Sequence, residues 1–303
     1  MLLILGSINA DLLFKVRTLP RPGETVLCPG YEMAPGGKGS NQAAAAAKAG
    51  ARVRFVGHVG DDAYGPVARG MLDAAGVDTG GLAVSPRPTA IAVIGVDEAG
   101  ENAIIVGSGA NLDTAAAQID DGQLGPGVTV LCQNEIRSEE TWTILRRARA
   151  RGARTILNLA PAAMPPAEAL ASTDVLVVNE IEVGMAASDP GGDPRLLARR
   201  LAERHGLTCV VTLGAEGALA VSPESVWAAP SLPIRPVDTT GAGDCFTGVL
   251  AAMLDEGMAL PEALRRGCLA ASLACLAIGA QSSQPRRADI EARLGEIGPV
   301  RAL

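Results

Sequence analysis

Residues 237–248 read Val-Asp-Thr-Thr-Gly-Ala-Gly-Asp-Cys-Phe-Thr-Gly. An extended run ends at Asp238, a Gly-Ala-Gly turn follows, and a strongly apolar helix begins near Asp244. Gly241 and Gly243 let the backbone turn tightly, so several N–H groups can face one way at a helix N-terminus. Unsatisfied donors and the positive end of the helix dipole make such a turn an anion site. Asp244, in the first helical turn, is then a carboxylate beside an anion hole. Phosphoryl transfer asks for that pair: amides to hold charge on the moving group, and a carboxylate to take the hydroxyl proton. Taken alone, Gly-Ala-Gly-Asp reads first as a plain turn and a helix cap, so the rest of the chain has to decide.

Working outward, short apolar runs alternate with Ala/Leu/Arg-rich stretches of helical period. Buried strands are expected at Leu2–Leu5, Val53–Val56, Val128–Leu131, Thr155–Leu159, Val175–Val178 and Cys209–Leu213. Helices are expected at Ser40–Ala49, Tyr64–Ala75, Ser138–Arg151 and Asp193–His205, and near Gly243–Asp255 and Leu260–Ile278. Gly50, Gly76, Gly152 and Gly206 follow four of them, where a left-handed residue ends a helix. This rhythm implies an α/β fold, a predominantly parallel central sheet with helices on both faces. Four alternating segments stand outside it: 11–16, 25–33, 89–96 and 102–106, with a hairpin turn at 97–101. They suggest a small β-sheet lid from about 11–33 and 89–107, inserted in a single domain spanning 1–303. A further hairpin turn is expected at Ser222–Ser225.

Composition removes several classes of function. The 303 residues are 48% hydrophobic and carry a net charge of −7, with only 2% aromatics and no basic run. Nucleic-acid binding lacks both its electrostatic and its stacking requirement. No apolar run is long enough to span a bilayer. The start, MLLILGSINADLLF, has no basic leader and reads as a buried strand, so a cytoplasmic location is expected. Six scattered cysteines without a C-x-x-C pair are expected to be free thiols. Two histidines leave little room for a histidine-based triad or zinc site and push acid–base chemistry onto carboxylates.

A second glycine-rich motif, Pro-Gly-Gly-Lys-Gly-Ser-Asn-Gln-Ala, occupies 35–43 ahead of an alanine run. It is not a P-loop, because the spacing before Lys38 is wrong. No dinucleotide fingerprint is present either; 107–112 lacks the third glycine. The paired glycines let a polar ligand approach the backbone, with Lys38 and Asn41 available to hydroxyls.

Together, 35–43 and 238–244 resemble the two signatures of the ribokinase-like sugar kinase family, in the right order. Further similar strings run the length of the chain: 6–11, 59–62, 108–111, 132–136, 158–162, 178–182, 212–217 and 279–283. The resemblance covers residues 2 to about 290. It implies an ATP-dependent kinase acting on a primary hydroxyl of a furanose sugar, D-ribose to D-ribose 5-phosphate. Asp244 would be the base, and Gly241, Ala242 and Gly243 would form the anion hole. Asn9, Asp11, Gly37, Lys38, Asn41 and Glu135 would hold the sugar beside Asp244. Asn179, Thr212, Leu213, Gly214, Ala215, Glu216 and Gly217, with Gly243, Asp244 and Cys268, would contact the nucleotide. Glu182 would order Mg²⁺ through water. Asp238, Thr240, Ala274, Ala277, Gly279 and Ser283 would form a K⁺ site, many through carbonyls. Read without the resemblance, Asn179 and Glu182 are an N-cap and a solvated helix acid.

The sequence departs from the family's pattern at Cys268, where an Asn or His commonly faces adenine, and at Asn158-Leu159, where Asn-Pro is usual. The base is therefore expected in an aliphatic slot on helix Leu260–Ile278. The lid, with one apolar face, is expected to pair with a second copy in a homodimer. Other acceptors within the family remain open: another pentose, a ketohexose, a sugar acid or a nucleoside. No arginine in the sugar strings is placed to clamp a carboxylate, which weighs against sugar acids. Outside the kinases stand a silent sugar sensor and a nucleotide-binding oxidoreductase.

Overall fold

A computed structural model describes residues 1–303. In chain order the strands are β1 (Leu2–Leu5), β2 (Asn9–Lys15), β3 (Glu32–Gly36), β4 (Val53–Gly60), β5 (Asp78–Ser85), β6 (Ala90–Val96), β7 (Asn102–Gly107), β8 (Thr129–Cys132), β9 (Arg154–Asn158), β10 (Val175–Asn179), β11 (Thr208–Thr212), β12 (Ala218–Val221), β13 (Val226–Ala229) and β14 (Arg301–Ala302). The helices are α1 (Lys38–Lys48), α2 (Tyr64–Ala74), α3 (Ser138–Ala150), α4 (Ala167–Ala171), α5 (Glu180–Ala186), α6 (Pro194–His205), α7 (Ala242–Asp255), α8 (Leu260–Ala274) and α9 (Arg287–Arg293).

The main sheet has ten strands in the order β14-β13-β12-β11-β10-β9-β8-β1-β4-β5. Pairing is parallel from β11 through to β5 and antiparallel from β11 outward to β14. Its strands are apolar on both sides because both faces are covered. In β1, Leu2 and Ile4 enter a core with α1, α7 and α8, whereas Leu3 and Leu5 enter a second core with α3 and α6. All four are fully buried. The glycines expected to close helices, at 50, 76, 152 and 206, all have positive φ. No helix is long and apolar enough to cross a membrane.

The small sheet runs β3-β2-β6-β7, with β2–β6 parallel and the outer pairs antiparallel. Its hairpin turn at 97–101 forms as expected, closed by Asp97 N–H to Glu101 C=O. One expected strand is displaced. Residues 25–31 are irregular, and the strand beside β2 is Glu32–Gly36, which pairs Asn9 with Gly36 and Asp11 with Ala34. Pro29 and Gly30 interrupt the earlier segment, as such residues do in strands. The shift matters because it places β3 directly before α1.

Helix α1 lies unusually close to α7. Its alanine run Ala43–Ala46 is buried all round, with Ala45 and Ala46 against α7. Opposite it, a Cβ on Gly248 would stand 2.4 Å from the Gln42 carbonyl oxygen and 2.7 Å from Ala45 Cβ. Small residues on both sides therefore set the separation of the two helices. Gly248→Ala should force them apart and cost about 1–3 kcal/mol, the usual range for overpacking. Equilibrium denaturation reads this directly, and an unchanged midpoint would show that the contact has slack.

Candidate active site

The parallel strands β1, β8, β9, β10 and β11 all end on one edge of the sheet, and the residues just beyond them face a common crevice. These are Ser7 after β1, Glu135 after β8, Asn158 closing β9, Asn179 closing β10 and Thr212 closing β11. The N-termini of α1 and α7 point into the same place. The small sheet adds Asn9 and Asp11 from β2, and the β3–α1 junction adds Gly37 and Lys38.

Asp244 is 7% exposed, in the first turn of α7. Its Oδ2 accepts from Asn41 Nδ2 at 3.0 Å and its Oδ1 from Gln42 Nε2 at 2.8 Å. The preceding turn is left-handed at Gly241, with φ 72°. Ala242 N–H is already engaged by Thr239 C=O at 3.2 Å, whereas Gly241, Gly243 and Asp244 donate to no protein acceptor. The free amides are therefore 241, 243 and 244, in place of the expected trio 241–243. A small polar cavity of 160 Å³ brings Lys38, Asn179 and Glu182 together with Gly241, Gly243 and Asp244. It adjoins a cleft of 840 Å³ lined by residues 214–217, 230–236 and one side of α8, and the two share Thr212, Thr239, Ala242 and Gly243. Cys268 sits in the wall of that cleft with Leu232, Phe246 and Ala271, so the wall is apolar but, with Phe246 in it, not purely aliphatic.

These features agree with one line of descent. The model of the pfkB family of carbohydrate kinases matches residues 1–287. The chain belongs to that family. It is 34% identical over 292 residues to a ribokinase of Haemophilus influenzae, covering 94% of this chain and 95% of that one. A ribokinase structure from Thermotoga maritima superposes with a TM-score of 0.91 at 34% identity, covering 97% and 99%. That of Arabidopsis thaliana ribokinase complexed with ribose and ATP gives 0.87 at 31%, covering 97% and 98%. The machinery is that of a phosphotransferase acting on a sugar hydroxyl.

The residues expected at the sugar lie close together. Glu135 Oε2 accepts from Ser7 Oγ at 2.7 Å and Lys38 N–H at 2.8 Å, leaving Oε1 without a protein donor. Asn9 Oδ1 accepts from Asn111 Nδ2 at 2.9 Å, which leaves the Asn9 amide nitrogen free to donate. Asp11 accepts nothing from the protein, and its Oδ1 is buried and unpartnered. Burial pushes the Asp11 carboxyl up to about 7, helped by the charges of Glu135 and Asp244. Burial alone would lower Lys38, but the carboxylates of Asp244, Glu135 and Glu182 outweigh it and raise it. Gly36 makes room for the arrangement, since a Cβ there would lie 1.9 Å from Asp11 Oδ1.

On the nucleotide side, Asn179 and Glu182 form a reciprocal capping box on α5, each side chain bonded to the other's N–H at 2.8 Å. Capping and cavity lining thus coexist in the same residues. Burial raises Glu182, opposed by the Asn179 N–H and Lys38. Behind the α7 turn, Asp238 accepts from Thr240 N–H and Gly279 N–H, both at 2.9 Å. Burial pushes its carboxyl up, but these donors outweigh it and hold it below its ordinary value.

Four buried amides that no motif reading singled out support the site: Gln42, Gln133, Gln281 and Gln284. Gln281 Nε2 donates to Ser40 Oγ at 3.1 Å and Asn41 Oδ1 at 3.0 Å, and Gln284 Nε2 to Asn41 C=O at 2.9 Å. Gln42, Gln133 and Gln281 lie inside the strings 35–43, 132–136 and 279–283, and Gln284 just beyond the last, but residue type alone gave none of them a role.

An unpartnered carboxyl accepts a sugar hydroxyl's hydrogen most strongly when ionised. Sugar affinity, measured by calorimetry, should therefore weaken as pH falls through about 7, by at most about tenfold per pH unit. Asp11→Asn should bind weakly at every pH with that dependence gone. The raised carboxyl also makes wild-type stability, relative to Asp11→Asn, fall as pH rises from about 4 towards about 7.

Proposed function

We propose that the kinase transfers the γ-phosphoryl group of ATP to the primary hydroxyl of D-ribose, giving D-ribose 5-phosphate and ADP. The observation that carries this reading is the Asp244 carboxylate, fixed by two amides beside free N–H groups at the mouth of α7. Asp244 takes the hydroxyl proton while the sugar oxygen bonds to phosphorus and the bond to ADP breaks. The amides of Gly241 and Gly243 receive charge on the moving group, and Lys38 adds a fixed positive charge in the same cavity. Positioning supplies most of the rate, because little covalent chemistry falls to the protein. The neutral acceptor is supported by Asn9, Asp11 and Glu135, whose free groups suit hydroxyls, with no arginine among them. ATP is supported by the relative complexed with it, whose fold this chain shares. Thr212 and the loop 214–217 flank the cleft where the nucleotide would lie, with Cys268 against its base, whereas Leu213, expected among these contacts, packs against the core with α3 and α6.

Two cations fit the residues present. No cluster of three or more His, Cys, Asp or Glu side chains forms a metal cage, which suits Mg²⁺, an ion held mainly by phosphates and water. Glu182, buried on the cavity wall, would order its water. Mg²⁺ would neutralise the polyphosphate when bound. For K⁺, the carbonyls of Ala274 and Ala277 accept no hydrogen bond, and with Asp238, Thr240, Gly279 and Ser283 they make an all-oxygen donor set. Such an ion would steady the loop that carries the free amides.

The small sheet is read as a lid on the sugar within a single domain, 1–303, in the cytoplasm. Ile104 and Val106 on one face of β7 and Ile105 on the other are 54%, 51% and 74% exposed, apolar surface at the sheet edge that a second copy would cover in a homodimer.

An ADP-release assay over a sugar panel, run in K⁺ and in Na⁺, tests the reaction. Ribose should give the highest kcat/KM, with more turnover in K⁺. Asp244→Asn should lower kcat by about 10²–10⁴ with sugar affinity nearly intact, and full activity in that variant would sink the assignment. Sedimentation at micromolar protein should show a dimer, and Ile105→Lys a monomer.

A further inference from the structure

Gln42 touches neither the sugar nor the nucleotide side, yet it makes the shorter of the two hydrogen bonds to Asp244, 2.8 Å against 3.0 Å from Asn41. It is fully buried. A primary amide in that position is useful only if its NH₂ end faces the carboxylate, and an amide can flip. Three contacts settle the orientation. Gln133 Nε2 donates to Gln42 Oε1 at 2.7 Å, which marks that atom as the acceptor. Gln42 Nε2 then spends one hydrogen on Asp244 Oδ1 and the other on Asn158 Oδ1, also at 2.8 Å. Asn158 is itself fixed, because its Nδ2 donates to the Val177 carbonyl at 3.1 Å. Flipping Gln42 would set a donor against Gln133's donor and an oxygen against two oxygens, all away from water, where each mismatch is costly.

We infer that Gln42 is a positioning residue for phosphoryl transfer, oriented by Gln133 and Asn158 so that the Asp244 carboxylate stays in one rotamer facing the acceptor hydroxyl. The inference rests on the reading of Asp244 as the base. Asn41 and Gln42 together clamp both oxygens from one helix, but their roles differ. Asn41 borders the sugar strings, whereas Gln42 lies behind the carboxylate and can act only through it. Its loss should therefore appear in kcat and not in sugar binding, since a misplaced reacting group costs rate without costing ground-state contacts.

The test is Gln42→Leu, which keeps the volume and removes the donor, with Gln133→Leu as a milder change one bond further out. Expected is a fall in kcat of about 10- to 100-fold for Gln42→Leu and a smaller fall for Gln133→Leu, as a displaced reacting group can cost about 10²-fold. Ribose affinity by calorimetry should stay within about twofold for both, because neither touches the sugar. In the Asp244→Asn background, Gln42→Leu should remove nothing further, because residues acting as one unit are not additive. Equal additional losses in both backgrounds, or a loss confined to sugar affinity, overturns the assignment. Should Gln42→Leu fail to melt cooperatively, Gln133→Leu decides by the same criteria. A wild type that releases no ADP with any sugar overturns the kinase reading and this one together. An active wild type with an equally active Gln42→Leu overturns this one alone.

Discussion

Everything at the site depends on how closely α1 approaches α7. Short side chains must reach the Asp244 carboxylate from the neighbouring helix, and Asn41 and Gln42 manage it at 3.0 and 2.8 Å. They can do so because α1 presents its alanines there and because Gly248, one turn after Asp244, presents no side chain to the Gln42 carbonyl. Interhelical spacing is fixed by the bulk of the contact residues. The alanine run after the first motif and the glycine after the second are thus one packing device, written 200 residues apart. Its product is a carboxylate, the base of the proposed reaction, that the protein holds from behind.

The charges around that base explain why the crevice is polar without being neutral. Asp11, Glu135, Glu182 and Asp244 meet at the ends of five strands, and Lys38 is the cation in their midst. Burial raises Asp11 and Glu182, and repulsion from the neighbouring carboxylates adds to it. Sugar hydroxyls can donate to the carboxylates, and the amides and Lys38 can receive phosphate oxygens. An excess of negative charge on the nucleotide side then favours binding a polyphosphate together with its counter-cation over the bare anion. The electrostatics and the glycine turn ask for the same chemistry.

Much of this was legible in the sequence because it is local. The turn at 241–243, the β3–α1 junction at 36–38 and the 97–101 hairpin are each encoded within a few residues, and the parallel sheet shows in its continuous apolar strands. Cys268 as a nucleotide contact came from the resemblance alone, and nothing local in 260–278 marks it. What was illegible is what long-range contact decides. Gln42 meets Gln133 across 91 residues and Asp244 across 202, and a buried glutamine has no periodicity to betray it. Alternation at 25–33 resembled a strand, but pairing with β2 selected 32–36, since only that register puts Gly36 beside Asn9 and leaves space for the Asp11 carboxylate. Ala242 joined the expected amides by position alone, whereas its N–H is spent on closing the turn that frees its neighbours.

The C-terminal segment completes the argument. Gly279 N–H holds one oxygen of Asp238, whose other oxygen holds the Thr240 amide at the start of the glycine turn. Two residues on, Gln281 grips Ser40 and Asn41, and its own carbonyl accepts from Lys48 near the far end of α1. Gln284 takes the Asn41 carbonyl. One short stretch therefore ties the loop carrying the free amides to the helix that clamps the base. The three bonds from Gln281 and Gln284 to Ser40 and Asn41 are buried, so breaking them leaves polar groups without water to replace the partner. The loop behind α7 and the amides on α1 cannot shift independently. A bound cation at 238–283 would brace the base as well as the anion hole.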